Sequence, residues 1–216
     1  MEQTVTFSAK ASLSRHARKV VAALALGAVA LLASCSNVNA AATVGNETIS
    51  STQVQNSVAS ILKLRKTIDT SSLNLPQGAD IARAVLNLHI VEALLKQAAA
   101  AKKITATPAE ISKFKADLLS QIGGAANLNN GLIQNSIAAE DFDLYASYMV
   151  LLNDVTTALN TKSDKTIYKS YLTDYFSKVK VTVNARYGKW NATTGQVEAV
   201  DATSGAVASP SPTASK

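Results

Sequence analysis

The sequence predicts a mainly α domain of five helices with a small antiparallel sheet joining its N- and C-terminal strands. Three observations carry this. Long stretches between residues 50 and 178 place apolar side chains at three- and four-residue spacing, the signature of amphipathic helices. Capping signals stand at the starts of several of these stretches. Only at the two ends does the spacing fall to two, at Thr43–Ile49 and Val179–Val183.

Thr43-Val44-Gly45-Asn46-Glu47-Thr48-Ile49 reads as two β-prone stubs around a Gly-Asn turn. Ser50 with Gln53 three residues on is a capping box, and Val54, Val58, Ile61 and Leu62 give the first helix an apolar face until about Ile68. Leu75-Pro76-Gln77-Gly78 is a loop. The longest helix spans about Ala79 to Lys103. Ile81, Val85, Leu88, Val91 and Leu95 form one stripe on it, and Leu86, Ile90 and Leu94 form a second. A helix apolar on two sides is packed from both, so this one is central. Thr107-Pro108-Ala109-Glu110 caps the third helix, whose inner face is Ile111, Phe114, Leu118 and Ile122. Gly123-Gly124 stop it, and Asn127 to Gly131 read as a polar loop.

Glu140 and Asp141 suit a helix start, ahead of the stripe Phe142, Tyr145, Met149, Leu152, Val155 and Leu159. Ser163 is the expected cap of the last helix, which carries Tyr168, Tyr171, Leu172, Tyr175 and Phe176. Val179, Val181 and Val183 then alternate with polar residues as a half-buried strand, whose candidate partner is the N-terminal hairpin.

Before all of this stands a leader. Lys10, Arg15, Arg18 and Lys19 make its first part positive, and Val20–Leu32 runs for 13 residues without a charge. A membrane-spanning helix needs about 20, so the run has the length of a signal-peptide core. Leu32-Ala33-Ser34-Cys35 follows and looks like a bacterial lipobox. Residues 1–34 are therefore expected to be a lipoprotein signal peptide, Cys35 the lipidated residue, and 35–42 a short tether. The competing reading is a plain signal peptide cut near Ala40-Ala41-Ala42. The place of Cys35 favours lipidation, as does its being the sole cysteine, since an unpaired thiol in an oxidising exterior is a liability. Acyl chains contribute about 0.8 kcal/mol per buried methylene, and two of them anchor durably. The expected location is the cell membrane, on its extracytoplasmic face.

Removing those 34 residues from 216 leaves 182. Lysine plus arginine falls from 21 to 17 and the acids from 15 to 14, so the net charge drops from +6 to +3. A chain this weakly charged, with no basic block, gives no reason to expect nucleic acid as partner. The expected domain is 43–197. Residues 198–216, rich in alanine, serine, threonine and proline, have the composition of a disordered tail.

Chemistry-bearing constellations are missing from the sequence: there is no carboxylate pair, catalytic triad, phosphate loop or metal-ligand spacing. No enzyme, metal or cofactor is expected. Past the leader, His89 is the sole histidine, and its apolar neighbours in the longest helix point to a packed core residue.

Three motifs then resemble one family. Thr43-Val44-Gly45-Asn46-Glu47-Thr48-Ile49-Ser50 with Val54 looks like the "VNG-x-x-I" start of SurA- and PrsA-type foldases. Leu94-Leu95-Lys96-Gln97-Ala98 followed by Lys103-Ile104-Thr105-Ala106-Thr107-Pro108-Ala109-Glu110 is similar to their "LL-x-Q-A…G-I-x-x-T-x-x-E" helix–turn–helix. Val183-Asn184-Ala185-Arg186-Tyr187-Gly188-Lys189-Trp190 resembles the "VNPRYGxW" ending of SurA-like lipoproteins from actinobacteria, with Ala185 in place of the proline. The resemblance implies a helical chaperone domain whose apolar groove holds unfolded exported polypeptides. In the foldases a parvulin isomerase module of about one hundred residues follows such a strand. Only 33 residues lie beyond Val183, so the expectation is binding without isomerisation. An adaptor lipoprotein with one fixed envelope partner is the alternative.

Overall fold

The computed structural model describes residues 39–200. The leader, lipobox residues Leu32, Ala33 and Ser34, and Cys35 lie outside the described residues, as does the tail from residue 201 on. The described part is mainly helical, with two small antiparallel sheets.

Strand β1 (Ala40–Val44) pairs antiparallel with β2 (Glu47–Ser50) across a turn in which Gly45 takes φ +58. That left-handed backbone is cheap only for glycine. The Gly45 amide also donates to the Lys180 carbonyl at 2.9 Å, joining the turn to the far end of the chain. There β3 (Val181–Val183) lies against the other edge of β1, with Val44 opposite Val181 and Ala42 opposite Val183. The sheet order is β2-β1-β3, the terminal pairing that the alternating valines called for.

Helix α1 (Ser51–Arg65) starts on the Ser50 hydroxyl, which accepts from the Gln53 amide at 3.1 Å. The reciprocal half of that capping box is not made, because the Gln53 side chain turns inward to His89. Helix α2 (Ala79–Ala101) is central, packed by α1, β1, α5 and α6. Helix α3 (Pro108–Gln121) begins with the expected box complete: Thr107 Oγ1 accepts from the Glu110 amide, and Glu110 Oε2 accepts from the Thr107 amide. Helix α4 (Ala125–Gln134) follows, then a 3₁₀ turn (Ala139–Asp141), α5 (Phe142–Leu159) and α6 (Ile167–Lys178). After β3, strands β4 (Lys189–Asn191) and β5 (Gln196–Glu198) form a second hairpin, with Trp190 opposite Val197.

Three expectations are corrected. The stretch Asn127–Gly131, expected as a loop, lies within α4, so the described residues hold six helices rather than five. Leu128 and Leu132 outweigh the weak helix propensity of the asparagines by packing with Ile137 and Phe142. The tether expected over 35–42 loses its last three residues, because Ala40, Ala41 and Ala42 are buried in β1. A cut among these alanines would fall inside that strand. The last helix starts at Ile167 rather than after Ser163, since residues 161–166 form a turn closed by Thr161 and Asp164. The C-terminal part of the expected domain also forms the β4–β5 hairpin, for which no element was expected.

The largest apolar cluster joins Val44 and Ile49 of the sheet to Val54 and Ile61 of α1, to Val85, Leu86, Ile90 and Leu94 of α2, and to Tyr187 and Val197. A second joins Leu95 and Ala99 to Leu151 and Val155 of α5, with Tyr168, Tyr171 and Leu172 of α6 packed against it. Helix α2 therefore sits between two cores. Its second stripe, Leu86, Ile90 and Leu94, is fully closed.

Candidate functional site: a trough along the central helix

The first stripe of α2 closes at its ends and opens in the middle. Ile81, Val85 and Leu95 are buried, whereas Leu88 and Val91 are half-buried and face two adjoining hollows that share Val91 and Tyr148. One hollow, about 280 Å³, lies between Leu95, Leu152 of α5, Leu172 and Phe176 of α6, and the Ala192–Gly195 tip of the second hairpin. The other, about 450 Å³, continues along Asp80, Arg83, Ala84 and Asn87, with Gln196 and Val197 as its wall. The result is a trough with an aliphatic floor, the Tyr148 ring at its waist, and polar groups at its rim. Burial raises the pKa of the Tyr148 hydroxyl, which thus stays a neutral donor and acceptor at the waist.

The hairpin wall is held by packing of Val197 in the main core and by a side-chain bond from α2. Asn87 Oδ1 accepts from the Val197 amide at 3.1 Å, which occupies the outer edge of β5. That bond takes up the outward-facing amide of the strand.

Buried polar groups lie behind the floor. His89 is 3% exposed, as a packed histidine should be. Gln53 Nε2 lies 3.3 Å from its Nδ1, and Asp141 Oδ1 lies 3.3 Å from its Nε2, so three segments meet at one ring. Glu92 is 7% exposed and accepts from the Ser147 hydroxyl at 3.2 Å. Burial raises the Glu92 pKa above the ordinary 4.5, with Lys96 and the Ser147 hydroxyl opposing the shift. A carboxyl that binds its proton more tightly when folded carries no penalty below 4.5 and a penalty at neutral pH, so its contribution worsens as pH rises. Glu92→Gln keeps an oxygen to accept from Ser147. It is expected to raise Tm at pH 7, with the gain vanishing below pH 4.5; a Tm unchanged at both values would show that the burial costs nothing.

Among the described residues, no three metal-ligating side chains cluster, and no helix is long and apolar enough to cross a membrane. Large apolar side chains stand exposed at only two described positions, Leu62 at 43% and Val200 at 49%.

The model of the SurA-like N-terminal domain matches residues 11–120, just over half of the 216-residue chain. The chain belongs to this family. Within the described residues the match takes in β1, β2, α1, α2 and nearly all of α3. The SurA-like part thus supplies the floor of the trough, while α5, α6 and the β4–β5 hairpin, outside the match, supply its walls. No curated protein and no solved structure matches the chain at a significant level.

Nothing in the periodicity alone could distinguish Leu88 and Val91 from the buried members of their stripe. Tyr148 and the hairpin tip were equally hidden, because they come from elements far apart in sequence. A usable signal did stand at Asn191-Ala192-Thr193-Thr194-Gly195. Asn191 Oδ1 accepts from the Thr193 and Thr194 amides, the local turn that asparagine followed by a glycine favours.

Proposed function

We propose that the chain is a chaperone-type holdase tethered to the cell membrane on its extracytoplasmic face. By this reading Cys35 carries the lipid, and the α2 trough holds apolar segments of unfolded exported polypeptides without isomerising their prolines. The single observation that supports it best is the half-open aliphatic floor at Leu88 and Val91 in a SurA-like domain. Apolar concavities with few polar groups are where binding energy concentrates.

The purified protein is expected to slow aggregation of a denatured model protein in a ratio-dependent way, with no acceleration of prolyl isomerisation in a peptide assay. Val91→Asp places a charge on the floor at a half-buried position and should weaken this several-fold with little change in Tm. No protection at several-fold excess would discard the holdase reading.

Anchoring is supported by the lipobox Leu32–Cys35 after its charge-free run. Cys35→Ser should leave the chain uncleaved or release it from the membrane fraction. A variant processed and sedimenting like the parent would remove the lipid from the proposal.

The scarcity of exposed apolar side chains also suits a narrower role, an adaptor for one envelope partner. Crosslinking in the intact envelope separates the two, because an adaptor yields one stoichiometric product and a holdase yields many.

A further inference from the structure

If Cys35 carries the anchor as proposed above, the domain is held on a very short leash. β1 begins at Ala40, so four residues, 36–39, separate it from the cysteine. Five extended peptide steps reach at most about 18 Å. The end of the domain where β1 starts must then stay close to the headgroups. The β1–β2 turn at Asn46 stands at the other end of that strand.

A second groove opens at the tethered end. The Asn184 amide donates to the Ala41 carbonyl at 2.9 Å, and its side-chain amide donates to the Ala40 carbonyl at 3.2 Å. Two residues on, Arg186 and Tyr187 line a hollow of about 330 Å³ between α1 and the start of α2. Its other walls are Val54, Val58 and Leu62 of α1 and Ala82 of α2. Leu62 is one of the two exposed large apolar side chains noted above. Tyr187 is buried, yet its hydroxyl has no hydrogen-bond partner among the described residues. The Arg186 guanidinium lies 5.2 Å from the centre of the Tyr187 ring. Lys63 and Lys66 are exposed at the end of the same helix. An aliphatic slot with exposed cations beside it fits a molecule with a hydrocarbon chain and an anionic head.

We propose that this groove is a membrane-docking face that takes an acyl chain of an anionic bilayer lipid, with Arg186 meeting its phosphate and ester oxygens. Each basic residue near an anionic surface adds attraction, and the leash keeps the face within reach of it. Docking there turns the start of α2 toward the bilayer. Gln97, near the other end of α2, donates to the Val44 carbonyl at the far end of β1, so the trough leads away from the membrane.

The test uses the mature acylated protein. Its sole cysteine is consumed by the anchor, so Gln55→Cys at the groove and Asn46→Cys at the far turn each offer one thiol for an environment-sensitive dye. Intact mass first establishes acylation. In mixed phosphatidylglycerol–phosphatidylcholine vesicles with brominated chains, quenching should be several-fold stronger at position 55 than at 46. Arg186→Gln, or phosphatidylcholine alone, should cut the difference several-fold, to what the leash alone leaves. Acylated protein with equal quenching at both sites overturns the docking face and leaves the anchor standing. A difference of equal size in phosphatidylcholine alone overturns the anionic lipid. A change at position 55 that grows with protein concentration in the absence of vesicles assigns the groove to a second copy instead. A chain that proves unacylated, yet floats with the anionic vesicles and loses this with Arg186→Gln, overturns the anchor and retains the groove.

Discussion

Gly188→Ala is expected to detach the β4–β5 hairpin and lower Tm by roughly 5 °C or more. Gly188 has φ +138, a backbone that residues with a Cβ rarely adopt. A Cβ built there would also stand 2.1 Å from the Glu198 carbonyl oxygen and 3.0 Å from its carbon. Those atoms are backbone, fixed by the Lys189–Glu198 pairing, so no rotamer change relieves the overlap. Strain and displaced packing together should cost more than about 2 kcal/mol. The loss extends beyond the turn, because Val197 is part of the main core and its amide is held by Asn87. Trp190, the single tryptophan of the chain, lies opposite Val197, so its emission reports the same event. The trough would lose one wall, and aggregation suppression should fall along with Tm. Unchanged Tm and emission would mean that β4 and β5 do not approach as closely as described.

The hairpin also shows where sequence reasoning stops. Helical spacing located α1, α2, α3 and α5 within a few residues because each buries a continuous stripe, and period alone reports a stripe. The terminal strands were readable for a related reason: Val181 and Val183 alternate with polar residues, and Val44 and Ile49 offered them a partner. β4 and β5 are three residues each, too short for any period. Helix α4 failed differently. Its asparagines favour turns locally, and only contacts with Ile137 and Phe142, distant in the pattern, make Leu128 and Leu132 a helical face. The two apolar stripes of α2 were legible, and both were expected to be packed. The structure packs most of that surface and leaves Leu88 and Val91 half-open. The sequence reading therefore anticipated the helix that carries the site, but neither the opening nor the walls.

Leu94→Ala tests that division. Leu94 lies in the closed stripe, fully buried in the cluster shared with Val54 and Ile61 of α1 and with the sheet. Removing its side chain leaves a cavity among neighbours held by two other elements, which relax only in part. The cost should be about 2–5 kcal/mol, and the fall in Tm roughly 10 °C. Val91 sits three residues earlier on the same helix but on the trough floor, so Val91→Asp should spare Tm and impair client binding. The pair is diagnostic because each substitution moves a different reading. If the closed stripe were the client surface, Leu94→Ala would leave Tm nearly unchanged and abolish protection against aggregation, with Val91→Asp now the destabilising change. Thermal unfolding and an aggregation assay on the two variants, each still folded at the assay temperature, decide between these patterns.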